Sequence, residues 1–464
     1  MAKDDASLLS ATEMVAQFRS GSLSPVEATK AALDRIERLN SRFNAFCLVD
    51  AEGALAAART SEGRWRQHAP LGPVDGVPAT VKDLVLAKGW PTRRGSKTTT
   101  ADPAPENAPA VARLRESGAV LLGKTTTPEF GWKGVTDSPL TGITRNPWDD
   151  SRTPGGSSGG AAVAAALGMG ALHIGTDGGG SIRIPASFTG IFGFKASFGR
   201  VPAWPPSPFA SVAHLGPMTR TVGDAALMLN AITRPDHRDW YALPQDRRDW
   251  RDGLEEGVRG LKIAYAPRIG QTPVEPEVAA AVAVAARRFE ELGANVEEAI
   301  PALGEVGPIF AAHWFPAAAL LIDSIAPEKR TLMDPGLLAI GEQGARMTLL
   351  DHLKAVRARE AMGLAMQEFH SRYDLLLLPT MPLPAFAAGE ETPVDSANRR
   401  WTDWTPFTYP FNLTRQPAAS VPCAFTKAGL PIGLQIVGRL YDDATVLKAA
   451  RAFERLQPFP MPKV

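Results

Sequence analysis

Three stretches of this chain carry residue types that can break an acyl bond. Two are glycine-rich loops with serine, Pro154-Gly155-Gly156-Ser157-Ser158-Gly159-Gly160 and Gly175-Thr176-Asp177-Gly178-Gly179-Gly180-Ser181-Ile182-Arg183-Ile184-Pro185. The third is a lysine within an aliphatic run, Thr80-Val81-Lys82-Asp83-Leu84-Val85. An amide carbonyl resists attack, so a serine hydroxyl must give up its proton as it attacks, to a base whose pKa lies near the working pH. Lysine ordinarily fails this requirement, but burial among aliphatic side chains disfavours the ammonium form. Asp83 would oppose that only from the same face, and adjacent strand residues point to opposite faces. The structural alternative for Lys82 is a lysine paired to a structural acid. Gly178, Gly179 and Gly180 lack side chains, so their amides can converge with that of Ser181 on a developing oxyanion.

Two shorter patterns compete with this reading. Gly155-Gly156-Ser157-Ser158-Gly159 matches the nucleophile elbow of α/β-hydrolases and would make Ser157 the nucleophile. That mechanism needs a strand immediately before the serine and a histidine later. The preceding residues 149–154 read as loop, and none of the seven histidines sits in a triad context. Gly118-Ala119-Val120-Leu121-Leu122-Gly123-Lys124-Thr125 matches a nucleotide phosphate loop. Its four central residues should form a polar turn, whereas Ala-Val-Leu-Leu reads as a strand entering a core.

Taken together, the two serine loops and Lys82 resemble the amidase signature family. Ser181 follows Ser157 by 24 residues, and Lys82 precedes Ser157 by 75, as the family pattern requires. The likeness continues through Leu23-Ser24-Pro25-Val26-Glu27, Arg145-Asn146-Pro147-Trp148 and Gly429-Leu430-Pro431-Ile432-Gly433-Leu434-Gln435, nearly the whole chain. It implies an α/β fold: a large mixed, twisted β-sheet with helices on both faces. It also implies a Ser-Ser-Lys amidase in which Lys82 takes a proton from Ser157, Ser157 takes one from Ser181, and Ser181 attacks. Ser157 would then sit in a cis peptide. Asp177, Arg183 and Ser158 would support the loops, and no metal or cofactor is called for.

The elements that must position these groups follow from patterning. Helical spacing over 8–40, broken at 21–25, predicts two opening helices, with Pro25 at the first position of the second. Strands are expected at 79–87, 119–122, 171–175, 261–266, 374–378 and 432–437, and helices at 109–116, 161–167, 278–292, 349–369 and 444–456. The second serine loop thus closes a helix-strand unit. Apolar positions 349, 353, 356, 362, 366 and 369 should turn one face of their helix to a core. A single domain over 1–464 is expected: N-terminal helices (1–70), a catalytic core (71–230), a surface excursion (231–260), and the remaining core and cleft segments (261–464).

Composition bounds the rest. Residues are 44% hydrophobic and 21% charged, with net charge +1, values of an ordinary globular protein without the basic surface that nucleic acid requires. The expected partner is a small molecule, not nucleic acid or membrane, and a homodimer is left open. Cys47 and Cys423, far apart in apolar surroundings, suit buried thiols in a reducing, cytoplasmic compartment. The polar segment 1–10 has no apolar signal core, and no run of about 18 apolar residues follows. Phe130, Trp132, Trp204, Trp314 and Trp401 are the candidate substrate contacts, with Phe315 and Trp404 beside them. They point to aromatic or apolar amides, anilides, esters or carbamates. The alternative is the glutaminase subunit of a tRNA-dependent amidotransferase, which requires a polar grip on the glutamine carboxylate and a protein partner.

Overall fold

The computed structural model describes residues 5–394, 396–458 and 460–464. Residues 1–4 of the polar opening segment lie outside the described residues. Helices α1 (Ala11–Ser20) and α2 (Pro25–Phe43) each begin with a capping box, in which Ser10 or Ser24 exchanges hydrogen bonds with the glutamate three residues on. Gly21, left-handed at φ 75°, ends α1, and Pro25 opens α2. Next come β1 (Phe46–Val49), α3 (Ala51–Arg66), β2 (Pro78–Lys82), α4 (Pro109–Glu116) and β3 (Val120–Thr125). A small hairpin, β4 (Asp137–Ser138) with β5 (Gly142–Ile143), precedes α5 (Gly159–Ala166), β6 (Leu172–Asp177), α6 (Arg183–Thr189), β7 (Phe192–Lys195), β8 (His214–Thr219) and α7 (Val222–Ile232). The second half holds β9 (Lys262–Tyr265), α8 (Pro276–Glu291), β10 (Asn295–Glu298), α9 (Val306–Asp323), α10 (Pro335–Ala345) and α11 (Leu349–His370). It ends with β11 (Leu375–Pro379), α12 (Pro410–Leu413), β12 (Ala418–Phe425), β13 (Pro431–Gly438) and α13 (Asp443–Leu456).

Eleven strands form one mixed sheet in the order β1-β3-β2-β6-β8-β7-β12-β13-β11-β9-β10. β2 lies between β3 and β6 and is parallel to both, whereas β6 pairs antiparallel with β8. Both sheet faces are covered, which is why the central strands are apolar without alternation. In β11, Leu375 and Leu377 join a core cluster shared with α1, α4, α7, α8 and α13. Leu376 and Leu378 join a second one, shared with α6, α9, α10, α11 and α12.

Several expectations are corrected. The strand expected over 79–87 stops at Lys82, and the one expected over 119–122 continues to Thr125. Residues 231–260, expected as a surface excursion, hold no strand and no helix beyond the end of α7 among the described residues, and their Trp250, Leu254 and Val258 reach the first core cluster. α11 buries Met362, Met366 and Phe369, but Leu349 is 74% and Leu353 49% exposed, so its apolar stripe meets the core only in its second half. Of the two thiols expected to be buried, Cys423 is, and Cys47 is exposed. Among the described helices, α9 is long and apolar enough to cross a membrane by length and composition. Its Phe310, Trp314, Ala318 and Leu321 belong to the second core cluster.

Leu377→Ala removes a wholly buried side chain from the sheet and is expected to cost about 2–5 kcal/mol. Leu349→Ser, on the exposed half of α11, should change stability by less than ~0.5 kcal/mol. Urea unfolding midpoints of the two variants test the contrast; equal losses would mean that α11 docks along its whole length.

Candidate active site

β2 ends in Lys82, and the strands on either side hold its ammonium end within a closed polar cage. The side chain is 0% exposed. Its Nζ lies 2.6 Å from Ser157 Oγ, 2.8 Å from Ser158 Oγ and 2.8 Å from Thr176 Oγ1. Burial drives the Lys82 pKa well below that of an ordinary lysine, with only the Asp177 carboxylate acting the other way. Asp83 plays no part, because the chain leaves the strand after Lys82. The Ser158 hydroxyl donates to the Thr176 carbonyl at 3.0 Å, which leaves its lone pairs to receive an N–H from Lys82.

The first serine loop runs from β5 into α5. Its Gly156–Ser157 peptide is cis. Gly156 packs so closely on the Val135 backbone that a Cβ there would lie 2.4 Å from the Val135 carbonyl oxygen. The second loop joins β6 to α6, and the two are tied together by Ser158 N–H donating to the Ser181 carbonyl at 3.1 Å. Ser157 and Ser181 line one cavity with Thr176 and Gly178.

Asp177 shapes the second loop. Its carboxylate accepts from Gly180 N–H (2.8 Å), Ile182 N–H (3.2 Å) and both the Nε and Nη2 of Arg183 (2.9 Å each). Arg183 also donates to the Thr408 carbonyl, Gln435 Oε1 and Asn412 Oδ1. Both partners of the ion pair are 0% exposed. Burial pushes the Asp177 carboxyl up, but the Arg183 guanidinium, with Lys195 and Asn412, more than offsets this and holds it below the usual carboxylate range. Asp177 and Arg183 are thus bonded to each other and to the amides of Gly180 and Ile182 within the loop. Of the four amides expected as oxyanion donors, that of Gly180 donates to Asp177, whereas those of Gly178, Gly179 and Ser181 donate to no group among the described residues. Gly180 is required for another reason: its φ is +127°, and a Cβ there would meet Thr408 Oγ1 at 2.3 Å.

Of the aromatic candidates, Phe130, Trp204 and Trp314 line the cavity; Trp132 and Trp401, 0% and 1% exposed, do not. Trp132 accepts the Trp314 indole N–H on its carbonyl, and Trp401 meets the Trp314 ring edge-on at 5.4 Å between centroids. Both act behind the wall. Phe315 and Trp404 are also core residues. The excursion helps here, since the Arg238 guanidinium lies 4.8 Å over the Trp204 ring. Lys124 of the phosphate-loop pattern is a buried residue on β3, paired with Asp83 at 3.3 Å. The sequence reading assigned no role to Thr176, Thr408, Asn412 and Gln435; Thr176 and Gln435 lay within family-like stretches, whereas Thr408 and Asn412 carry no motif of their own. It also missed Arg94 and His214 on the cavity wall.

A family model described as Amidase matches residues 27–447. An acylamidase of Rhodococcus erythropolis is 38% identical over 97% of this chain and 96% of its own length. A glutamyl-tRNA(Gln) amidotransferase subunit of Myxococcus xanthus is 39% identical over 97% and 98%. The crystal structure of a bacterial aryl acylamidase of the amidase signature enzymes superposes with a TM-score of 0.90 at 32% identity, covering 97% of this chain and 96% of that one.

Arg183→Leu would strand the Asp177 carboxylate without its cation and is expected to cost about 3–5 kcal/mol. Arg183→Lys should recover only part of that, because a single ammonium cannot reproduce the forked contacts. Denaturant unfolding of both variants measures this, and a loss under ~1 kcal/mol in Arg183→Leu would show that the pair does not brace the loop.

Proposed function

The chain belongs to the amidase signature family and is an amide hydrolase, and we propose that it cleaves small aromatic or apolar amides through an acyl-enzyme on Ser181. The reading rests above all on Lys82 Nζ, on a wholly buried side chain, at 2.6 Å from Ser157 Oγ. A neutral lysine amine has two N–H groups and one lone pair. Ser158 and Thr176 can receive the two N–H groups, leaving the lone pair for the Ser157 proton.

In this mechanism Ser157 passes its proton to Lys82 while taking the proton of Ser181. Ser181 Oγ forms a bond to the carbonyl carbon, and the oxyanion settles on the amides of Gly178, Gly179 and Ser181, each contributing about 3 kcal/mol to transition-state stabilisation. The C–N bond breaks as the proton returns through Ser157 to the departing amine. Water, activated by the same relay, hydrolyses the ester and restores Ser181. Esters, anilides and carbamates present the same carbonyl to the same groups.

Glutaminase action with ammonia transfer to a partner chain is the second reading, favoured by the Myxococcus relative's name. Arg94 in the cavity could meet the carboxylate of glutamine, but the walls are mainly Leu84, Val85, Phe130, Trp204 and Trp314, and no Asp or Glu lines the cavity to take the ammonium group of glutamine. Turnover of aryl amides, but not glutamine, by the isolated chain is the expected result.

A fluorophosphonate should label Ser181. Ser181→Ala should abolish labelling and turnover together, while Ser157→Ala cripples turnover and leaves slow labelling at Ser181. Peptide mapping that found the adduct on Ser157 would overturn the assignment. Since the relay needs Lys82 neutral and burial lowers its pKa, kcat/KM should rise with pH along a limb below the ordinary lysine range. A profile flat from mildly acidic to alkaline pH, with chemistry limiting, would remove Lys82 as the base.

A further inference from the structure

The catalytic cavity contains one permanently charged side chain, Arg94, among walls that are otherwise apolar or neutral. Its backbone is pinned. Arg94 N–H donates to the Asp83 carbonyl at 3.1 Å, and the Arg94 carbonyl accepts from Phe130 N–H at 2.8 Å. The residue is left-handed at φ 54°, and at the following Gly95 a Cβ would come within 2.6 Å of the Thr127 carbonyl oxygen. The segment is therefore held where it is by contacts on both sides. The guanidinium itself is different. Among the described residues it makes no hydrogen bond and no ion pair, although the side chain is partly buried.

Asp83 is the acid whose field reaches Arg94, and burial, the larger influence, acts against the guanidinium's charge. That carboxylate is held through Oδ1 by Lys124 Nζ at 3.3 Å and by the Arg93 backbone N–H at 3.3 Å, while its buried Oδ2 receives no hydrogen bond from Arg94 or from any other described group. Two cations thus share one anion, and the excess positive charge is the one facing the cavity. His214, also on the wall, is driven well below its ordinary pKa by burial and by Lys195, so it adds no charge at neutral pH. A partly desolvated guanidinium without a counter-ion is unfavourable until an oxyanion reaches it, and its planar fork matches a carboxylate in two parallel hydrogen bonds.

We propose that Arg94 determines specificity by receiving a carboxylate carried by the substrate, so that the preferred substrates are apolar or aromatic amides bearing a free acid remote from the scissile bond. This rests on the Ser181 reading above, because the acid must be bound while the amide carbonyl lies at Ser181. The apolar walls hold the body of such a molecule, and Arg94 holds its charged end.

Two matched substrate pairs test it, one with the acid on the amine side and one with it on the acyl side: 4-acetamidobenzoate against 4-acetamidoacetophenone, and N-phenylsuccinamate against 4-oxo-N-phenylpentanamide. Each pair exchanges a carboxylate for a neutral methyl ketone of nearly the same shape. In at least one pair the acid should be favoured about 10- to 100-fold in kcat/KM, mostly through KM, as expected for charge-assisted hydrogen bonds. Arg94→Gln should erase that ratio, and Arg94→Lys, which keeps the charge but not the fork, should keep part of it. Fluorophosphonate labelling of Ser181 in each variant reports folded, competent enzyme independently of either substrate. If neither pair favours the acid, or if Arg94→Gln leaves the ratio unchanged while Ser181 still labels, the Arg94 assignment is wrong and the Ser181 mechanism stands. If Ser181 does not label in the wild-type protein, the mechanism itself fails.

Discussion

Asp177 and Arg183 are both removed from water, and each would be severely destabilising alone. Together they organise everything near the second serine. Asp177 draws in the Gly180 and Ile182 amides and so bends the loop that turns β6 into α6. Arg183 reaches outward from that bend to Thr408, Asn412 and Gln435, which lie more than 200 residues further along the chain. The pair thus joins the β6 loop to α12 and β13. By consuming the Gly180 amide it also decides which backbone donors stay free beside Ser181. Its negative end supports some ammonium character on Lys82, but burial outweighs it.

Two buried lysines on adjacent strands show how one residue type is put to different uses. Lys124 on β3 meets Asp83, the Val85 carbonyl and Thr92, and is a structural cation. Lys82 on β2 meets three hydroxyls and no carboxylate. Hydroxyls can donate as well as accept, so they tolerate a neutral amine, whereas a carboxylate would hold the proton in place. This has a thermodynamic cost. A lysine with a lowered folded-state pKa must shed a proton on folding, so its contribution to stability is unfavourable at neutral pH and improves as pH rises toward the ordinary lysine range.

Much of this was legible beforehand because it is local. The break at Gly21 to Pro25, Pro25 at the first position of α2, the helix at Pro109–Glu116 and the strands at β11 and β13 follow from short-range patterning, and each lies within a residue or two of where the sequence places it. What failed locally was the end of β2: the aliphatic run 84–87 continues past Lys82, but Asp83 turns toward Lys124 and ends the strand. The exposed leucines of α11 misled for a related reason, since periodicity shows which residues share a face but not whether anything covers it.

The sequence by itself determined the reacting residue types and their spacing, the two glycine loops and the helix-strand unit between them, and, through these, membership of the family. Only the tertiary structure decided which lysine lacks a carboxylate, which amides beside Ser181 remain free, and which tryptophans face the cavity and which stand behind it. The physical reason is range. Loops, caps and strands depend on neighbours a few residues away, whereas protonation states, free donors and cavity walls depend on groups such as Thr176, Asn412 and Arg94, whose positions relative to Ser181 and Lys82 exist only once the sheet has brought distant segments together.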